Sequence, residues 1–380
     1  MERRRDPWAA RIARRDFLRY AAVVGGAGVL AACRRATQPG GGATEAPGAA
    51  IPPIEEEPGN LHIFDWAGYE VEPLWKPYAK AFPDARPTWT VFKDDDSSFA
   101  KVAAGARFDV AHPCGYRFQD WVDLGVLQPW DTSLIPNFAD LNPSLQAAGN
   151  FGGDQYFVVT DWGFAAPMYD ADRVEPAEDS WGLLWDDRYA GKISWWDSLN
   201  MFIVAAYYHG VPNPWDMTDD ELQEMKDFLI DKIGLVRFLW VGTEVDEAFA
   251  AGDIWIAYAW PASWAIARGN GVNAVYMDPK EGRTSWYCGF CLFAGSSNYH
   301  HAHAYVDAWA SARSGLWLVN NYYYGHTNTR VDLSKVDPTL IEAFSLDDPA
   351  VLEEPRTHVE RPIPRRELYN QLWEEVKAAA

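Results

Sequence analysis

Leu61-His62-Ile63-Phe64-Asp65 is a short apolar run that reads as a buried strand, and the pattern after it decides the fold class. A helix is predicted from Pro73 to Phe82, a strand from Thr88 to Phe92, and a helix from Ser97 to Ala104. A strand from Phe108 to Ala111 and a helix from Tyr116 to Leu124 follow. From Gln155 the alternation restarts, with strands at Tyr156 to Val159 and Gly163 to Tyr169. A short helix (Ser180 to Trp185) then precedes a strand at Lys192 to Trp196, and helices follow at Leu199 to Tyr208, Asp219 to Lys232 and Val245 to Ala251. Ile254 to Tyr258 is a strand, Ala262 to Arg268 a helix and Trp286 to Phe293 a strand. Strands alternating with helices predict βαβ units and mostly parallel sheets. The second run of alternation is about as long as the first, so an α/β chain with two lobes is expected.

Composition narrows the partners. The chain has 380 residues and 48% apolar content, enough for more than one core, and its 23% charged content is that of a folded chain. No uncharged apolar run reaches the roughly 20 residues of a spanning helix, which excludes a polytopic membrane protein. The formal charge is −21, from 54 acidic and 33 basic residues. That argues against nucleic acid and favours a cationic or neutral partner. No Gly-x-Gly-x-x-Gly or P-loop lysine motif supports nucleotide binding.

The N-terminus reads as an address. Arg14-Arg15-Asp16-Phe17-Leu18 is a twin-arginine pair followed by apolar residues, and Tyr20 to Ala32 is small and uncharged. Leu30-Ala31-Ala32-Cys33 ends it like a bacterial lipobox, with Cys33 the expected lipidated residue. The alternative is an amphipathic helix that stays in place. With residues 1–32 removed, seven arginines and three acids go, leaving 26 basic and 51 acidic residues and a charge of −25. Residues 33–59 are rich in Pro, Gly and Ala without apolar periodicity, and are expected to form a flexible tether.

Several segments carry a family likeness. Ile63-Phe64-Asp65-Trp66-Ala67-Gly68-Tyr69 opens the first strand and turn, and Phe108-Asp109-Val110-Ala111-His112-Pro113-Cys114-Gly115-Tyr116 is the second motif. Asp123-Leu124-Gly125-Val126-Leu127, Ser180-Trp181 with Tyr189-Ala190-Gly191-Lys192-Ile193, and Ala251-Gly252-Asp253 with Tyr258-Ala259-Trp260 complete the set. In order and spacing it resembles the periplasmic spermidine/putrescine-binding proteins, the solute receptors of ATP-driven (ABC) importers. The resemblance implies a two-lobed, hinged, periplasmic-binding-protein-like fold of type II, with a small cationic solute in the cleft and no cofactor or catalysis. The lobes would be 60–159 plus 287–326, and 160–286 plus 327–380. A membrane permease and its ATPase are the implied partners of a monomeric receptor, lipid-anchored outside the cytoplasm, in the periplasm or on the outer face of the membrane.

By motif position, Trp66, Tyr69, Tyr116, Trp260 and Trp286 match aromatic residues of that family's cleft, and Asp197 matches an ammonium-binding Asp. Aromatic faces suit methylenes and ammonium groups, and carboxylates bind the charges. The bland reading is that these rings are core. Four departures bear on the ligand. Asn200 and Cys288 stand where the family places carboxylates, Cys114 replaces a small hydroxyl residue, and His326 stands near an aromatic position. A buried ammonium without a partner is unfavourable, so a ligand with one cationic end suits the site better than a long polyamine. Glu244 and Asp161 could supply substitute carboxylates, and the blander reading of each is a solvated or structural acid.

With Cys33 lipidated, three cysteines remain, and a disulfide plus one thiol is the simplest state outside the cytoplasm. In a strand, Cys288 and Cys291 point to opposite faces and pair poorly. The resemblance puts Cys114 and Cys288 on the cleft side of one lobe, which favours their pairing. Three thiols on a soft metal, or an Fe(III) receptor using Cys and His, is the alternative. His300, His301 and His303 are read as surface residues, and Asp94-Asp95-Asp96 as a solvated loop before a helix. No nucleophile–base–orienter set marks an enzyme.

Overall fold

The computed structural model describes residues 51–92, 95–347, 351–352 and 355–380. The export signal, Cys33 and most of the expected tether lie outside them. The chain is already in place at Glu57, ahead of the expected start at Asn60. Its buried carboxylate accepts the N–H groups of His300 (2.8 Å) and His301 (3.0 Å) at the start of the helix Tyr299–Trp309, where a helix presents unpaired donors and favours negative charge.

Fourteen strands follow among the described residues. In the first half they are β1 (His62–Trp66), β2 (Thr88–Phe92), β3 (Val110–Ala111), β4 (Leu127–Gln128), β5 (Asn150–Phe151), β6 (Asp154–Gln155) and β7 (Phe157–Asp170). Then come β8 (Ile193–Trp196), β9 (Val236–Trp240), β10 (Ile256–Ala259), β11 (Ala274–Tyr276), β12 (Arg283–Phe293), β13 (Gly325–His326) and β14 (Thr357–Val359). The main sheet runs β2-β1-β3-β12-β7-β10-β8-β9. β2, β1 and β3 are parallel, and so are β10, β8 and β9. Between these two parallel ends lie β12 and β7, antiparallel to each other and to their outer neighbours. Each parallel end is therefore a βαβ unit, and two long strands join them.

β7 departs from the expected pair of strands. It is continuous for 14 residues and buried from Phe157 to Met168, the near-continuous apolar run of a strand covered on both faces. Asp161 suggests a break in the sequence, yet it stays in the strand because its charge is met inside the protein. A bulge lies between Cys288 and Gly289 opposite this point, and bulges bend a strand and raise its twist.

Much of the tryptophan load is core. Trp121, Trp181, Trp195, Trp240 and Trp309 are each less than 2% exposed. His301 and His303, expected on the surface, are buried. His301 Nδ1 meets the Tyr78 hydroxyl at 2.9 Å, and His303 donates from Nδ1 to the Tyr299 carbonyl at 2.7 Å. His301 thus packs on the helix Glu72–Ala81, while His303 lies edge-on to Trp130 and accepts the Asp131 N–H at Nε2 (3.1 Å).

Candidate ligand-binding site

β1 ends at Trp66, and the turn after it carries Tyr69. Both hang on a buried array. His112, just past β3, faces Asp65 Oδ1 from Nδ1 at 2.9 Å and Asp161 Oδ1 from Nε2 at 3.0 Å, with all three side chains at 0% exposure. Both ring nitrogens meet carboxylates, which is the pattern of an imidazolium. Burial opposes that charge, but Asp65 and Asp161 outweigh it and push the His112 pKa up to about 9. Tyr69 donates its hydroxyl to Asp161 Oδ2 at 2.9 Å, and Trp66 donates its indole N–H to the His112 carbonyl at 2.9 Å. The array thus fixes the ring positions at the end of the first strand.

Cys114 and Cys288 form the disulfide that the resemblance favours, which leaves Cys291 as a buried thiol. Neither Cys114 nor Cys288 has a thiol to offer a ligand or a metal, so their place among the candidate ligand groups is corrected. The Cys114 N–H donates to Asp95 Oδ1 at 3.1 Å, and the Tyr116 hydroxyl donates to Asp95 Oδ2 at 3.0 Å. Asp95 was expected in a solvated loop; it is 4% exposed. Burial pushes its pKa up to about 6, partly offset by those two donors. Arg366 lies over the Tyr116 ring, 4.5 Å from its centre, and pairs with Asp96 at 3.1 Å. One face of Tyr116 is therefore taken by the chain's own guanidinium. Nearby, the Glu360 carboxyl is held well above the usual range by burial and then by Asp95.

In the second parallel end, Trp260 directly follows β10 and stands edge-on to Trp240 (4.9 Å) and near-perpendicular to Trp196 (5.5 Å). On β12, Trp286 meets Tyr324 edge-to-face at 4.8 Å. Its strand partner is Gly163, where a Cβ would come within 2.4 Å of the indole, so glycine there lets the ring lie across β7.

Two expected members have other partners. Asp197 accepts the Trp373 indole N–H at 2.8 Å and pairs with Lys377 at 3.1 Å, so its charge is already met. His326 is 9% exposed and satisfied by backbone: Nε2 faces the Trp309 carbonyl at 3.1 Å and Nδ1 accepts the Asn328 N–H at 3.0 Å. Burial lowers its pKa to about 4, so it is a neutral ring. With Trp162, Asn328 and Val331 it lines a cavity of about 250 Å³ instead. Asn200 begins the helix Asn200–His209 and donates its side-chain amide to Ser198 Oγ at 3.0 Å. Glu244 accepts the Val241 and Gly242 N–H groups, as a structural acid would.

The structure thus gathers Trp66, Tyr69, Tyr116 and the disulfide around the ends of β1 and β3, Trp260 after β10, and Trp286 on the strand that joins the two parallel ends. The residue reading missed Asp65, His112, Glu360 and Tyr324. His112 and Asp65 are quoted within the motifs, but nothing in their spacing says that a second acid, Asp161, 49 residues past His112, completes the array.

Two parallel α/β ends joined by two long antiparallel strands make the architecture of the periplasmic binding proteins. The comparisons agree. Residues 76–337 match the family model for the bacterial extracellular solute-binding proteins, and the chain belongs to that family. It is a solute-binding protein rather than an enzyme. It is 22% identical over 319 residues to the putrescine-binding periplasmic protein PotF of Escherichia coli (strain K12), covering 78% of this chain and 84% of that one. The fold matches the spermidine/putrescine ABC transporter substrate-binding protein PotD from Streptococcus pneumoniae with a TM-score of 0.71 at 18% identity, over 84% of this chain and 99% of that one. It also matches the binding protein MotA from A. tumefaciens B6, solved with glucopine, with a TM-score of 0.68 at 17% identity over 84% and 99%. No helix among the described residues is long and apolar enough to cross a membrane.

Proposed function

We propose that this chain is the solute receptor of an ABC importer, and that it holds a small amine-bearing cation between aromatic rings where its two halves meet. The observation that carries this reading is the exposure of the rings. Trp66, Tyr116, Trp260 and Trp286 each keep part of the side chain accessible, unlike the fully buried core tryptophans. Trp66 and Trp260 lie at or just past the carboxyl ends of parallel strands, the usual ligand position in open α/β sheets. Around them the chain is strongly acidic, and ring faces attract ammonium groups. β7 and β12 are the natural hinge, dividing the chain into 60–159 plus 287–326 and 160–286 plus 327–380, with closure on the ligand as the expected motion.

The relatives' names support an amine, and the glucopine complex of MotA shows that the fold also accepts other solutes. A metal receptor finds less support: Cys114 and Cys288 are tied to each other, and His301 and His303 are buried against Tyr78 and Trp130. We further read the receptor as exported and held outside the cytoplasm by a lipid at Cys33, with a permease and its ATPase as partners. Cys33→Ser would then move it from the membrane to the soluble fraction.

A thermal-shift panel tests the ligand class. Putrescine, spermidine, a simple monoamine, γ-aminobutyrate, glycine betaine, a neutral sugar and a soft metal ion are each added to the mature protein. At a concentration 100-fold above Kd, a true ligand stabilises by about 2.7 kcal/mol. A rise in Tm of several degrees with at least one amine is expected. No shift with any amine, together with a shift by a neutral sugar or a soft metal, would overturn the reading.

A further inference from the structure

We propose that the carboxylate of Asp246 anchors the positively charged end of the solute, in place of the acids that Asn200 and Cys288 replace. The inference rests on the amine-receptor reading above and adds a residue that neither the motifs nor the resemblance pointed to.

Asp246 stands in the first turn of the helix Glu244–Ala251, after β9. It is half-buried, and its Oδ1 atom is fully buried with no hydrogen-bond partner among the described residues. Its helix packs against the adjoining helix Pro261–Gly269, which begins directly after Trp260. No cationic side chain pairs with it among the described residues. The charges that act on it are acidic: burial first, and then Glu244 and Glu247 of its own helix, push its pKa up to about 6.

Tyr324 lies within electrostatic reach of this carboxylate: burial, then Asp161 and Asp246, raise the pKa of its phenol. Tyr324 immediately precedes β13, which pairs with β7 at Trp162 and Asp161, and it stands edge-on to Trp286. The acid therefore comes from the second parallel end, and the Tyr324–Trp286 corner from the joining strands and their neighbour. A cation beside them would meet the accessible part of a carboxylate that has no counter-charge, and two aromatic rings.

The contrast with other acids of the site is the strongest argument. Asp197 has Lys377, Asp96 has Arg366, and Asp65 and Asp161 share His112. Asp95 has two hydrogen-bond donors from the chain. Asp246 has no cation, and one of its oxygens has nothing. A half-buried charge kept in that state destabilises the empty protein, and such groups cluster where function requires them.

The test measures Asp246→Asn and Asp246→Ala in the mature protein. Calorimetric titration with putrescine gives the affinity, and melting without ligand gives the stability. The expected result is a Kd raised tenfold or more, with an unliganded Tm equal to or above that of the wild type, because an uncompensated charge has been removed. An unchanged Kd would overturn the proposal. So would a loss of affinity that comes with a fall in Tm, which marks a structural acid. Failure of the unsubstituted protein to bind putrescine or any other amine of the panel would instead sink the underlying reading, and this shows before any substitution is made.

Discussion

Replacing Cys114 and Cys288 together by alanine should remove about 3–5 kcal/mol of stability. The disulfide joins residues 174 apart in sequence. Closing a loop of that size removes enough freedom from the unfolded chain to contribute about 5 kcal/mol in the chain-entropy model, and measured losses run to about 2–5 kcal/mol. It ties the loop after β3 to β12 at the bulge, beside the ring-bearing ends of β1 and β3, so its loss should also weaken ligand binding. The check is urea unfolding with and without reductant. Reductant should destabilise the natural protein and the Cys291→Ala variant, and leave the double variant unchanged. A thiol titration of denatured, unreduced chain lacking the lipobox cysteine should count one group, the Cys291 thiol, which burial holds well above its usual pKa. Three reactive thiols would contradict the assignment.

His112→Phe is the second large effect expected. The aromatic replacement can keep the stacking on Phe290, whose ring centre lies 3.9 Å from that of His112. It leaves Asp65 and Asp161 buried without the cation between them, and breaking a buried pair in this way costs about 3–5 kcal/mol. The pH dependence has a definite sign. The His112 pKa rises from an ordinary 6.5 to about 9 in the folded chain. Its contribution is therefore fully present below pH 6.5 and is lost as pH rises through 9, an effect of about 3 kcal/mol. The natural protein should lose stability between pH 7 and pH 10, and the variant should not show that loss. The variant should recover part of its deficit at acid pH, where Asp65, whose carboxyl burial holds above its usual range, can take up a proton. A deficit below 1 kcal/mol, or one independent of pH, would show that the array does not depend on the imidazolium.

The legible and illegible parts of the sequence divide on sequence distance. The strands Thr88–Phe92 and Ile193–Trp196 and the helices around them follow from local period and caps, and they were readable to within a residue or two. The single course of β7 was not, because Asp161 in an apolar run looks like a break until His112, 49 residues earlier, is seen to neutralise it. The three-residue strands β11 and β14 carry too few residues for a period to show, and Arg237 interrupts the apolar run of the five-residue β9. Asp95 read as a solvated member of an acidic triplet because its partners, the Cys114 N–H and the Tyr116 hydroxyl, belong to a different loop. Helix periodicity put His300, His301 and His303 on one element, but only packing decides that two of them turn inward. For the site, the motif positions located the rings, while the charge assignments depended on contacts across the sheet. Asp197 matched a motif position, and the C-terminal helix supplies its counter-charge.

The most direct measurement is a crystal structure of the mature protein grown with putrescine. The account predicts ligand density between Trp66, Trp260 and Trp286, with one ammonium group within hydrogen-bond distance of the Asp246 carboxylate. Density lodged in the cavity beside His326, or indoles closed against one another with nothing between them, would contradict it.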